Sequence, residues 1–176
     1  MNQFQIIQRI LLLMTGFSLL WTSCSTLSEG PSAVDILGNP NYQAISYGGY
    51  RAISRDTVPS VDQIKDDMRI LSAIDVKILR TYNTELAELP NLLQAITELK
   101  QEDSSFEMYV MVGAWINCKD AWTDHPDHTQ EDEAYNEAEV QRAVQYAKQY
   151  PDIIKMIDII TYSTESFYYH MHMYTC

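Results

Sequence analysis

One stretch limits this chain more than any other. Ala44 to Asn83, AISYGGYRAISRDTVPSVDQIKDDMRILSAIDVKILRTYN, reads as strand, loop, helix, strand. The first strand, Ala44 to Tyr47, stops at the pair Gly48-Gly49 and a polar loop. Ser60 and Gln63 have the spacing of a capping box, so a helix opens there. Val61, Ile64, Met68, Leu71 and Ile74 recur at intervals of three and four, which gives that helix one buried face. Val76 to Leu79 is short, apolar and partly β-branched, and it runs into Arg80-Thr81-Tyr82-Asn83. A helix that crosses between two strands makes them a parallel pair. Polar and aromatic side chains collect just after each strand, where parallel α/β folds bind their ligands.

The same alternation continues. A second helix starts at about Pro90 and buries Leu92, Leu93, Ile96 and Leu99, with proline acceptable in a first turn. A charged turn, Lys100 to Ser105, leads to a third strand, Phe106 to Trp115, whose apolar run fits a strand covered on both faces. Asn117 to Glu137 reads as a long acidic loop, and Glu137 to Tyr150 as a third helix with Val140, Ala143, Val144 and Ala147 on one face. Pro151 ends it, and Asp152 to Ile160 starts as a fourth strand. The order β-α-β-α-β-α-β describes an α/β fold: half of a (β/α)8 TIM barrel, or a small open sheet. With 176 residues the chain is short of the roughly 250 that a complete barrel takes, so it is expected to be a half-barrel of about four β/α units.

The formal charge of −12 excludes nucleic acid and anionic membrane surfaces as partners, because phosphates would repel the chain. Twelve tyrosines and three tryptophans supply flat amphipathic rings, which suit either a tyrosine-rich core or sugar binding. At the amino terminus Arg9 is the only charge before Glu29, and the apolar run Ile10 to Trp21 is too short to span a bilayer. Thr22-Ser23-Cys24 follows. Residues 1–23 resemble a bacterial lipoprotein signal peptide, with Cys24 as the lipidated residue; an uncleaved anchor is the alternative. Either way the expected location is outside the cytoplasm, as a membrane-anchored lipoprotein facing the periplasm or cell surface. Residues 24–43 read as a tether, since Gly30, Pro31, Gly38 and Pro40 fall in it without periodicity. Cys118 and Cys176 are expected to be unpaired.

The segments AISYGGYR, VDQIKDDMRIL, VKILRTYN, FEMYVMVGAWI and KQYPDIIKMI, from about Ile45 to Ile157, together resemble the amino-terminal half of family 17 glycoside hydrolases. The likeness is to the bacterial lipoprotein branch that acts on β-1,3-glucan. It implies a (β/α)8 barrel and a retaining mechanism with two glutamates. One protonates the leaving glycosidic oxygen; the other, about 5 Å away, attacks the anomeric carbon. The resemblance puts the acid in a Gly-Asn-Glu segment after the fourth strand and the nucleophile after the seventh. This chain departs there: after Ile157 it reads Asp158-Ile159-Ile160-Thr161-Tyr162. Tyr162 stands at the acid position, Glu165 is displaced from it by about three residues, and strands five to eight are lacking. Residues 161–176 change in composition, as a frameshifted or misassembled end would. The expectation is a fragment without its catalytic glutamates and without hydrolytic activity, or else a non-catalytic β-glucan-binding lipoprotein.

Residues 44–160 would then present strand-end side chains to a β-glucan oligosaccharide or polysaccharide: Tyr47 after strand one, Arg80, Tyr82 and Asn83 after strand two, Trp115 and Asn117 after strand three. Rings would stack on glucose faces, while Arg and Asn would bond hydroxyls. No cofactor or metal is expected. Asp124, His125, Asp127, His128 and Glu131 are of metal-ligating type but read as a solvated loop. His170, Met171, His172, Met173 and Cys176 are soft copper-type ligands gathered by a chance tail.

Overall fold

The computed structural model describes residues 30–161, and the chain divides at Gly30 into two units. Every element below lies in the second, Pro31–Cys176. In chain order they are α1 (Ala33–Ile36), β1 (Gln43–Ser46), α2 (Val61–Ala73), β2 (Val76–Arg80), α3 (Glu88–Glu102), β3 (Tyr109–Ile116), β4 (Cys118–Lys119), β5 (Asp127–Glu131), α4 (Glu133–Gln149) and β6 (Ile154–Thr161).

The Ser60 and Gln63 pair does open α2. Ser60 Oγ accepts from Gln63 N at 3.2 Å and Gln63 Oε1 accepts from Ser60 N at 3.0 Å, so two leftover amides at the helix start are satisfied. Ile64 and Met68 are fully buried, with Val61 and Leu71 packed beside them. Ile74 departs from the expected stripe. It is the residue that caps the helix end and is largely exposed, and Asp75 turns the chain away with φ 62°. Helix α3 begins two residues before Pro90, because Asn83 Oδ1 accepts from Leu86 N (3.1 Å) and shapes the turn ahead of it. Helix α4 starts at Glu133 rather than Glu137, since Asp132 Oδ1 accepts from Tyr135 N and caps it. The expected loop before α4 contains a small antiparallel ribbon, β4 with β5.

Strands β1, β2, β3 and β6 form one parallel sheet in that order. The order never reverses, which separates it from doubly wound sheets and is consistent with part of a barrel. The three crossover helices share one core with the sheet: Ile64, Met68, Leu92, Leu93, Ile96 and Ala143 meet Leu79, Val110, Val112, Ala114 and Ile157. Each fully buried Leu, Ile, Val or Met side chain among them stabilises by about 1.5–3 kcal/mol.

Alternate residues of the strands point the other way, and there the tether expectation fails. Ala33 and Ile36 of α1 pack on Ile78, Tyr109 and Met156. Ser32 caps this single turn through Asp35 Oδ2, reached by its backbone N (2.9 Å) and its Oγ (2.6 Å). One turn is too short to show a helical period, yet two apolar residues suffice to cover the amino-terminal end of the sheet.

Candidate functional site

The carboxyl ends of the strands are tied together by a residue that sequence reasoning passed over. Glu139 of α4 has no exposed surface. Its Oε1 accepts from Thr84 N (2.6 Å) and Trp115 N (3.2 Å), and its Oε2 from Thr84 Oγ1 (2.7 Å) and Arg142 Nη2 (2.6 Å). Four donors compensate the burial of one carboxylate. The loop after β2 and the end of β3 are thereby fixed to one side chain. One turn earlier, Asn136 does the same for Asn117: its Oδ1 accepts from Asn117 N (2.6 Å) and its Nδ2 donates to Asn117 O (3.0 Å). The signal was present as two polar residues, Asn136 and Glu139, on the apolar side of an otherwise regular helix.

Close packing completes this end. A Cβ on Gly113 would lie 2.2 Å from Thr81 O, so only glycine lets β3 run this near the end of β2. Gly113 N in turn donates to Thr81 Oγ1 (3.1 Å).

Beside this frame lies a small cleft lined by Gly48, Tyr50, Arg55, Tyr82, Asn83 and Glu88, with Thr81, Leu86 and Leu89 at its base and edges. Glu88 is buried, and that burial raises its carboxyl above the usual range, partly offset by a hydrogen bond from Tyr50 and by the Arg55 charge. Tyr50 is pushed up to about 12, first by burial and then by Glu88. The Arg55 guanidinium stands over the Tyr50 ring at 5.8 Å. Among the described residues the cleft thus offers two phenols, an amide, a guanidinium and one carboxyl, a hydroxyl-binding set.

The expected strand-end residues divide. Tyr82 and Asn83 line the cleft; the Asn83 carbonyl also holds its own turn. Tyr47 is only 8% exposed and belongs to the core under α2 rather than to the rim. Its hydroxyl donates to Asp67 (2.8 Å), which also pairs with Arg51 (2.9 Å), and burial followed by Asp67 raises its pKa strongly. Gly49, with φ 66°, closes over that ring, since a Cβ there would meet the Tyr47 hydroxyl at 2.7 Å. Arg80 Nε donates to Asp158 Oδ2 at 2.5 Å across the sheet face, and Asp158 is buried. Trp115 stacks on Trp122, with centroids 4.8 Å apart and planes at 11°, so the ring displayed to solvent is that of Trp122. Asn117 holds the end of β3 through its backbone.

In the acidic loop, Asp127 accepts from Thr129 N (3.1 Å), Thr129 Oγ1 (2.7 Å) and Gln130 Nε2 (2.5 Å); the Thr129 bonds lower its pKa most. Cys118 is a free thiol, 3.6 Å from His128 Nδ1. Among the described residues no three His, Cys, Asp or Glu side chains converge as metal ligands. Cys24, Tyr162, Glu165 and the His170–Cys176 tail lie outside the described residues.

No family model matches this chain, and no curated protein is similar enough to count as a relative. Among solved structures it is similar to the crystal structure of an endo-laminarinase from Formosa Hel1_33_131, at 54% identity and a TM-score of 0.71. The match covers 78% of this chain and 35% of that one, so the chain spans about a third of the length of the enzyme it resembles. Identity at this level reaches beyond a shared fold and relates the chain to a glycoside hydrolase.

Proposed function

We propose that this chain carries the first four β/α units of a (β/α)8 glycoside hydrolase of the family 17 type, and that its strand ends hold β-1,3-glucan. The observation that carries this reading is the 54% identity with an endo-laminarinase over most of the chain. The singly wound parallel sheet supports it, and so does the cleft of Tyr50, Arg55, Tyr82 and Asn83 at the carboxyl ends of β1 and β2. Phenols and amides bond sugar hydroxyls, and a ligand lacking those hydroxyls would leave them unpaired.

These residues bind rather than cleave. Retaining hydrolysis needs two carboxyl groups about 5 Å apart, one on each side of the bond. Of the described residues lining the cleft only Glu88 has a carboxyl. Glu139 and Asp158 are buried and occupied by Thr84, Trp115 and Arg142 in the first case and by Arg80 in the second. The resemblance at Cys24 adds a location: an exported, lipid-anchored protein at a membrane surface. Incorporation of labelled palmitate, abolished by Cys24→Ala, tests that part.

Calorimetric titration of the 176-residue chain with laminarin, alongside a reducing-sugar assay, tests the function. The expected outcome is saturable binding, weakened in Tyr82→Ala and Asn83→Ala, with no sugar released. Absence of binding refutes the glucan reading, and release of reducing sugar refutes the assignment of binding without cleavage.

A further inference from the structure

The glucan reading leaves one prominent group unused. Trp122 is 73% exposed, although a tryptophan normally buries most of its ring. It is not on a loose loop tip. Ala121 beside it is buried, Ala121 N donates to Cys118 O (3.2 Å), and Thr123 bonds Asp120 O through both N (3.0 Å) and Oγ1 (2.8 Å). Asp120 takes φ 58° to make this turn, and the pairing of β4 with β5 closes the base of the excursion. Behind the indole, Trp115 at the end of β3 lies parallel at 4.8 Å and supports one face, which leaves the other toward solvent. The structure therefore displays a flat apolar face on a fixed mount.

We propose that the outward face of Trp122, backed by Trp115, is a platform on which one glucosyl ring of a β-glucan stacks, as a contact additional to the Tyr50–Tyr82 cleft. The proposal rests on the glucan reading above. The charge around the platform selects this class of ligand. Asp120, Asp124, Asp127, Glu131 and Asp132 surround the excursion in sequence against the single Lys119, so a polyanion or an anionic lipid surface is repelled while an uncharged sugar is not. A glucosyl ring presents C–H groups on its face and hydroxyls at its rim, which fits an indole face flanked in sequence by carboxylates and imidazoles.

The test is laminarin binding by the full chain and by Trp122→Ala and Trp122→Phe, with acrylamide quenching of tryptophan fluorescence as a second readout. Because Trp122 is exposed, both variants keep the fold, which circular dichroism checks. Trp122→Ala is expected to bind laminarin about tenfold more weakly, Trp122→Phe to recover most of the loss, and laminarin to protect the wild-type fluorescence from quenching. Wild-type binding that Trp122→Ala leaves unchanged overturns the platform and leaves the glucan reading standing. Failure of the wild-type chain to bind overturns both. Binding of Trp122 to vesicles of anionic phospholipid, with no effect on laminarin, overturns the choice of ligand.

Discussion

Glu139 offers the sharpest test of how the strand ends are held. In Glu139→Ala, Thr84 N and Trp115 N lose their acceptor inside the protein, and each orphaned buried donor costs about 1–3 kcal/mol. The vacated side-chain volume adds to this, whereas Arg142, whose side chain is partly exposed, recovers water. The sum is about 3–5 kcal/mol, in the range found for breaking a buried ion pair from one side. Glu139→Gln keeps the oxygen that serves both backbone amides but turns an amide NH2 toward Arg142, losing charge-assisted bonds worth about 1.5–3 kcal/mol. Urea unfolding followed by tryptophan fluorescence reads both. With a slope of about 1–3 kcal/mol per molar urea, the alanine variant should unfold at a midpoint lower by roughly 2 M, and glutamine should fall between it and wild type. An alanine variant within about 0.5 kcal/mol of wild type would refute the claim that this carboxylate organises the site. Glutamine as damaging as alanine would show that charge matters more than the count of acceptors.

Three further outcomes follow from the same geometry. Burial raises the Glu88 pKa, so the folded protein keeps a proton that the unfolded chain has released, and wild-type stability falls as pH rises from the ordinary carboxylate range to the raised value. Glu88→Gln removes that slope: the stability of the variant relative to wild type should grow through this window and then level off, measured as urea midpoints across pH. Tyr47→Phe should cost about 1 kcal/mol of stability through the lost bond to Asp67 and leave laminarin affinity unchanged, as fits a core residue. Gly113→Ala should cost about 3 kcal/mol or more, seen in the thermal midpoint, because the atom it would displace is the Thr81 backbone oxygen rather than a mobile side chain.

The alternation of strand and helix was legible because each element repeats its pattern over enough residues. The Ser60–Gln63 box and the stripe Leu92, Leu93, Ile96, Leu99 emerged in the structure as read. What escaped was set by single tertiary contacts. The one-turn α1 carries no period, and only its position against Ile78, Tyr109 and Met156 gives it meaning. Tyr47 and Trp115 both follow the pattern of strand-end aromatics, yet Asp67 draws one into the core and Trp122 covers a face of the other. Trp122 sat within a loop read as acidic and solvated, where charge masked the one ring that the ribbon displays.

Glu139 also gives the two proposed glucan contacts a common origin. Thr84 adjoins Tyr82 and Asn83 of the cleft, and Trp115 supports Trp122 of the platform; the backbone amides of Thr84 and Trp115 end on the same oxygen of Glu139. The separation between cleft and platform is thus referred to one buried atom on a regular helix, rather than to two independent loops. A polysaccharide that contacts both meets a surface already in register, so less conformational freedom is lost on binding than if each loop had to be ordered. It follows that Glu139→Ala, though outside the cleft lining, should weaken laminarin binding, and Glu139→Gln, which keeps the shared oxygen, should weaken it less. The loss should shrink in a Trp122→Ala background, where one of the two contacts to be aligned is already gone.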